Sequence, residues 1–279
     1  MAEVVDDLAA LTRNVLALRP GWLEADLADF EFLPGGYSNQ NYQFRHRRQR
    51  YVLRVPQRVR PFIDRELEYS FYRSPGRVLV PEIEAFDQAT GVMISRWMSG
   101  PLLVDIDVDA GELVPYVEAL HAGLPTCSRR YDPVALAQQQ LSIGEPERSI
   151  VELAARLVWN PKQTTACHND LNPWNIIRSD SGKWVTLDWE WFGENDPLFD
   201  LVTLHQGLAV DEALLDEMAA KLVGISDAQG TRQRVRDCRA AFWLREYAWA
   251  HAEAANGNDR EEIREQIRVS SEKLGGLMG

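Results

Sequence analysis

The chain has 279 residues, 45% of them hydrophobic and 26% charged, with a formal net charge of −12, enough apolar material for one large domain or two lobes and too much for disorder. That charge argues against a nucleic-acid polyanion as partner and is compatible with a cationic substrate. No apolar run reaches the roughly 18–20 residues of a membrane span. The start, MAEVVDDLAALTRNV, is acidic where a signal peptide is basic, and Cys127, Cys167 and Cys238 have neither disulfide-framework nor zinc-site spacing. A cytoplasmic protein with reduced thiols and no membrane partner is expected, as a monomer or homodimer.

Apolar residues at Val5, Leu8, Leu11, Val15 and Leu18 predict an amphipathic helix. In DFEFLPGGYSNQNYQFRHRRQRYVLRV, the pairs Phe30/Phe32 and Tyr42/Phe44 and the series Tyr51, Leu53, Val55 alternate. That period of two predicts an antiparallel meander of three strands. Gly35, Gly36, Ser38 and Asn39 fill its first turn, where small residues let backbone N–H groups approach an anion, although a glycine turn between strands is most often just a hairpin. Arg54, in VLRVP, is inward-facing if it alternates with Leu53 and Val55, and a buried arginine requires an anionic partner. FIDRELEYSFYRS predicts a helix capped by Asp64 and offers Glu66 and Glu68 as that partner.

VLVPEIEAF and TGVMISRWMSG predict two further strands around a turn at 87–91. A first lobe over residues 1–97 and a second, mainly helical one over 98–279 follow from the change in pattern. The second is expected to hold helices at 113–124, 147–158, 197–208, 211–223, 231–256 and 259–275, with His121 packed in the core.

The stretch CHNDLNPWNIIRSDSGKWVTLDWEWFGENDPLFD carries the chemistry. His168, Asp170 and Asn175 form H-x-D-x-x-x-x-N between apolar segments, and Asp188 ends the next apolar run. Singly each residue reads as part of a polar turn. Together the set suits phosphoryl transfer from a nucleotide to a hydroxyl, where positioning and charge neutralisation do most of the work. Asp170 accepts the hydroxyl proton, Asn175 and Asp188 offer oxygens to magnesium, and His168 braces the loop. On that reading the glycine turn cradles phosphates, and Arg54 paired with Glu68, or with its rival Glu66, positions them. The extended SRWMSG segment then meets an adenine edge through the Arg96 carbonyl and the Met98 N–H. For the acceptor, Trp243 and Tyr247 lie four apart on one helix face beside Glu246, and Trp189 and Trp191 flank Glu190. Such rings and carboxylates can surround a cation, although each aromatic alone reads as core.

GGYSNQNY, YVLRVP, IDRELEY, SRWMSG, CHNDLNPWNII and LDWEWFGENDPLFDL together resemble the choline/ethanolamine kinase and aminoglycoside phosphotransferase superfamily. HND with Asn169, and arginine in place of a strand lysine, are similar to its choline, ethanolamine and thiamine kinase branch. The resemblance implies an α+β, two-lobed, protein-kinase-like fold with a small antiparallel-sheet lobe and a larger helical one. It implies ATP and Mg2+ as cofactors and a small, cationic alcohol as acceptor, with thiamine, aminoglycoside and sugar kinases or a silent pseudokinase as alternatives. Asp170 carries over as base, Asn175 and Asp188 as metal ligands, Ser38 and Arg54 as phosphate contacts, Glu68 as the supporting glutamate and Asp200 as a structural aspartate. The aromatic tail motifs of the eukaryotic choline kinases are not evident.

Overall fold

The computed structural model describes residues 8–35, 38–58, 60, 62–224 and 228–278. In chain order its main elements are α1 (Leu8–Leu18), β1 (Leu27–Leu33), β2 (Asn39–His46), β3 (Gln49–Pro56), α2 (Arg65–Arg73), β4 (Ile83–Phe86) and β5 (Met93–Arg96). Then follow α3 (Leu113–Gly123), α4 (Pro133–Gln140), α5 (Arg148–Arg156), β6 (Thr165–Cys167), β7 (Ile176–Arg178), β8 (Trp184–Thr186) and β9 (Gly193–Asn195). The chain closes with α6 (Pro197–Gly207), α7 (Leu215–Val223), α8 (Ala228–Ala255) and α9 (Glu261–Met278).

Packing divides the chain into two compact units. One comprises the chain up to Asp107 with Pro173–Trp191; the other comprises Val108–Asn172 and the chain from Phe192 onward. Residues 98–107 and Pro173–Trp191 thus group with the first unit. The reason is backbone pairing: Arg178 N–H donates to the Pro101 carbonyl and Thr186 N–H to that of Leu79.

The first unit is built on a five-stranded antiparallel sheet in the order β1-β2-β3-β5-β4. Tyr42 pairs with Leu53 and Phe44 with Tyr51 across β2 and β3, and these side chains bury against Leu11 and Val15 of α1. Because successive strand residues point to opposite faces, Leu53 in that core sends Arg54 to the other face. The second unit is mainly helical, with β6 paired to β9. Residues 197–205 of α6 are all buried. Asp196 caps that helix by accepting from Leu198 N–H, and Pro197 opens it where a missing N–H costs nothing.

The predicted helices are present with ends shifted by a few residues, except that 211–223 opens with a 3-10 turn before α7. The short α4, capped by Asp132, has no counterpart in the sequence reading. Among the described residues no helix is long and apolar enough to cross a membrane.

Candidate active site

In the first unit the candidate residues meet in a chain of alternating charge. Arg54, only 4% exposed, donates from Nη1 to Glu68 Oε1 at 2.6 Å and to Asp188 Oδ1 at 3.1 Å, and from Nη2 to the Gly91 carbonyl at 3.1 Å. Glu68 Oε2 accepts from Arg65 Nη1 at 2.6 Å; the same nitrogen reaches Glu190 Oε2 at 3.1 Å, and Arg60 lies 3.7 Å from Glu190 Oε1. Helix phase selects Glu68 over Glu66: Glu68, Phe71 and Tyr72 share the buried face of α2 while Glu66 is exposed. Gly91 has φ +78°, and a Cβ there would stand 2.6 Å from the Arg65 guanidinium, so glycine is needed for that arginine to lie against the backbone.

Burial opposes the charge on Arg54, but Glu68 and then Asp188 outweigh it and raise its pKa. Glu190 is pushed up to about 7 by burial and then by Asp188, against the pull of Arg65. Removing Glu68 leaves a buried guanidinium with fewer acceptors. Glu68→Ala is therefore expected to destabilise the protein by about 3 kcal/mol in urea unfolding, the low end of the range for a broken buried pair because Asp188 still accepts. A loss under about 1 kcal/mol would show that the pair adds little.

Asp188 sits just past β8 with φ 56°, a left-handed conformation that Asp tolerates better than most residues. Its Oδ2 accepts from Asn39 Nδ2 at 3.4 Å. Leu187 N–H donates to the Asn175 carbonyl at 2.8 Å, tying the two predicted metal ligands to one β7–β8 ladder. Ser38 is half-buried, Gly35 has φ 100°, and Gly36 lies outside the described residues. Arg96 ends β5 with its side chain on Glu82 at 2.8 Å, and Met98 follows in irregular backbone.

In the second unit one buried carboxylate shapes the loop. Asp200 accepts from the backbone N–H groups of His168 at 2.9 Å and Asn169 at 2.7 Å, and His121 Nε2 lies 2.8 Å away. Its burial raises the pKa, yet the His121 hydrogen bond and charge, with His168, outweigh this and hold it below the usual carboxylate range. His121 is thus packed against Asp200 as its hydrogen-bond partner. His168 Nδ1 accepts from Asp170 N–H at 3.1 Å. Asn169, at φ 69°, donates to the Gly193 carbonyl at 3.1 Å and accepts from Asn195 Nδ2 at 2.9 Å. His121, Cys167 and Asp200 come close enough to suggest a metal cluster. These groups have partners within the protein, however: Cys167 Sγ donates to the carbonyls of Asn195 and Asp196 at 3.7 and 3.8 Å, and Asp200 is taken by two backbone N–H groups and His121.

The residues expected around a cation are engaged in packing and internal hydrogen bonds. Trp243 and Tyr247 are 7% and 1% exposed. Trp243 donates to Gln206 at 3.2 Å with Lys273 over its ring, and the Tyr247 hydroxyl accepts from Glu147 N–H at 3.2 Å. Glu246 already has a cation: Arg245 Nη2 donates to its Oε1 at 2.6 Å, and Gln266 donates to Oε2 at 3.0 Å. Trp189 is fully buried and stacked on Phe71, and Trp191 stacks on Phe62. Sequence reasoning missed Arg245, which also reaches Asp170 Oδ1 at 3.0 Å; the available signal was an arginine on the apolar stripe of a helix.

A sheet-based unit and a helical unit, with an H-x-D-x-x-x-x-N loop and an aspartate after β8, define a protein-kinase-like small-molecule phosphotransferase fold. A profile described as the Phosphotransferase enzyme family matches residues 29–237, and the chain belongs to that family. Protein LicA of Haemophilus influenzae is 27% identical over 208 residues, covering 67% of this chain; the matched part spans 59% of that protein. Two solved structures share the fold. A choline/ethanolamine kinase family protein of Mesorhizobium loti has a TM-score of 0.70 and 24% identity, covering 97% of this chain and 94% of the other. The choline kinase LicA of Streptococcus pneumoniae has a TM-score of 0.71 and 18% identity, covering 96% and 99%.

Proposed function

We propose that the protein transfers the γ-phosphoryl group of ATP, with Mg2+, to the hydroxyl of a small alcohol, first among them ammonium alcohols of the choline and ethanolamine type. The observation that carries the reading is the junction at Arg54, where one nitrogen joins Glu68 of α2 to Asp188. A cation on a strand, braced by a helix glutamate beside a carboxylate, is the arrangement phosphoryl transfer uses to orient a polyphosphate. Arg54 Nε is buried with no hydrogen-bond partner among the described residues, a donor suited to an anionic ligand. A solved LicA complex with AMP supports a nucleotide donor.

Asp188 and Asn175 fit magnesium, since a carboxylate and a carboxamide on one ladder supply the hard oxygens that ion takes alongside phosphate oxygens and water. When bound, the ion neutralises charge on the transferring phosphate. In this reading Asp170 accepts the acceptor's proton and His168 holds the loop. Gly35, Gly36, Ser38 and Asn39 face the phosphates, and the Arg96 carbonyl and Met98 N–H pair with the base. Residues 1–97 serve as the nucleotide-binding lobe, and residues 98–279 carry the catalytic loop, the metal site and the acceptor-binding helices. The names of the relatives and the acidic balance of the chain support an ammonium acceptor; the set Trp243, Glu246 and Tyr247 does not.

Asp188→Asn tests the reading. An amide is a poorer ligand for a hard cation than a carboxylate, so calorimetric affinity for magnesium nucleotide is expected to fall together with activity, with partial recovery at raised magnesium. Unchanged affinity would remove Asp188 as the ligand. A panel of choline, ethanolamine, thiamine, an aminoglycoside and a sugar, read by magnesium-dependent ATP consumption, tests the acceptor. Equal kcat/KM for the neutral sugar would overturn the ammonium assignment alone.

A further inference from the structure

We propose that Arg245 is a positioning residue that fixes Asp170 for proton abstraction, an inference that rests on the phosphotransfer reading above. Arg245 stands on α8 among buried Ala241, Leu244 and Ala248, with its side chain only 7% exposed. A guanidinium taken that far from water must have its donors met within the protein. It has five N–H groups in a planar fork and no acceptor, and each has a partner. Nε and one Nη2 hydrogen go to Glu246 Oε1, at 3.1 and 2.6 Å, and the other Nη2 hydrogen goes to Asp170 Oδ1 at 3.0 Å. Nη1 serves the Asn169 carbonyl and, at 3.4 Å, the Tyr131 hydroxyl.

Two consequences follow from that inventory. With its donors spent within the chain, Arg245 is not a recognition group for an anionic acceptor. Its targets also include two successive residues of the loop, the carbonyl of Asn169 and the carboxylate of Asp170, so one rigid plane sets both the backbone and the side chain of the base. Asp200 holds the N–H side of the same stretch through His168 and Asn169, while Arg245 holds the carbonyl side. Between the two clamps lies Asn169, at φ 69°, a left-handed conformation that the surroundings must maintain. Gln266 of α9, bonded to Glu246 Oε2, steadies the carboxylate that orients the guanidinium. Proton transfer demands tight geometry, and a displacement of about 1 Å can cost about 10² in rate.

The test uses Arg245→Gln and Arg245→Lys in the full chain, each also combined with Asp170→Asn, with Mg-ATP and an acceptor that the wild type phosphorylates. For Arg245→Gln, kcat is expected to fall about 10²-fold with KM for ATP changed less than about twofold. Arg245→Lys is expected to recover only part of the loss, since an ammonium can reach Asp170 but cannot span the fork. With Asp170→Asn already in place, either change is expected to lower kcat by less than about threefold further, because positioning a group that no longer acts has little effect. A kcat within about threefold of wild type in Arg245→Gln, or losses that multiply in the double variant, overturn the proposal. If circular dichroism shows Arg245→Gln unfolded, Arg245→Lys decides: a wild-type kcat overturns the proposal, and a lowered kcat at unchanged ATP KM supports it. A wild type that phosphorylates no acceptor overturns the phosphotransfer reading and this proposal together; an active wild type with unaffected Arg245 variants overturns this proposal alone.

Discussion

Asp170→Asn is expected to lower turnover by about 10²–10⁴ while nucleotide binding stays within about twofold, the loss typical of removing a general base. The asparagine variant is more informative than alanine because of what surrounds the carboxylate. Arg245 Nη2 donates to Oδ1 at 3.0 Å, and the backbone N–H of Asp170 donates to His168 Nδ1 at 3.1 Å. An amide keeps an oxygen for the guanidinium and leaves the backbone contact untouched, so the loop geometry is retained and only basicity is removed. Alanine would also withdraw one of the acceptors of a buried arginine, mixing a folding cost with a chemical one. Single-turnover phosphorylation and nucleotide titration separate the two effects. A fall of less than tenfold would mean that another group takes the proton.

How far the sequence was legible depends on whether a feature was written locally. The meander was readable because one face of β2 and β3 is buried against α1, which forces Tyr42, Phe44, Tyr51 and Leu53 into a period of two. The loop and the aspartate after β8 were readable because they lie close together in sequence. The choice of Glu68 over Glu66 could also have been made, since Glu68 shares a helix face with Phe71 and Tyr72. Glu190 joins Arg65 across 125 residues and Arg245 joins Asp170 across 75, and no local pattern announces such pairs. The contacts of Trp243 and Tyr247 were hidden for a related reason. Their spacing did mark a helix face, but it is a packed face, and Glu246, which had singled it out, answers the arginine beside it.

Asp200→Asn is expected to cost about 3–5 kcal/mol of stability, the range for breaking a buried charged pair. Asp200 is fully buried, and its two oxygens accept from the N–H groups of His168 and Asn169, with His121 Nε2 on the Oδ2 side. An asparagine offers one oxygen and turns an NH2 towards a second donor, so at least one buried backbone N–H faces another donor instead of an acceptor. The sign of the pH dependence follows from the carboxyl being held below its usual range in the folded protein. Its stabilising contribution is complete above the unfolded value of about 4 and is lost as pH falls through the lower folded value. In urea unfolding the gap between wild type and Asp200→Asn should therefore be constant from neutral pH down to about 5 and narrow below about 4. A gap that widened in acid, or one under about 1 kcal/mol at neutral pH, would remove Asp200 from this role. Because the two N–H groups it holds belong to the residues just before Asp170, the folded fraction of the variant should also turn over more slowly than wild type, although no reacting group has been changed.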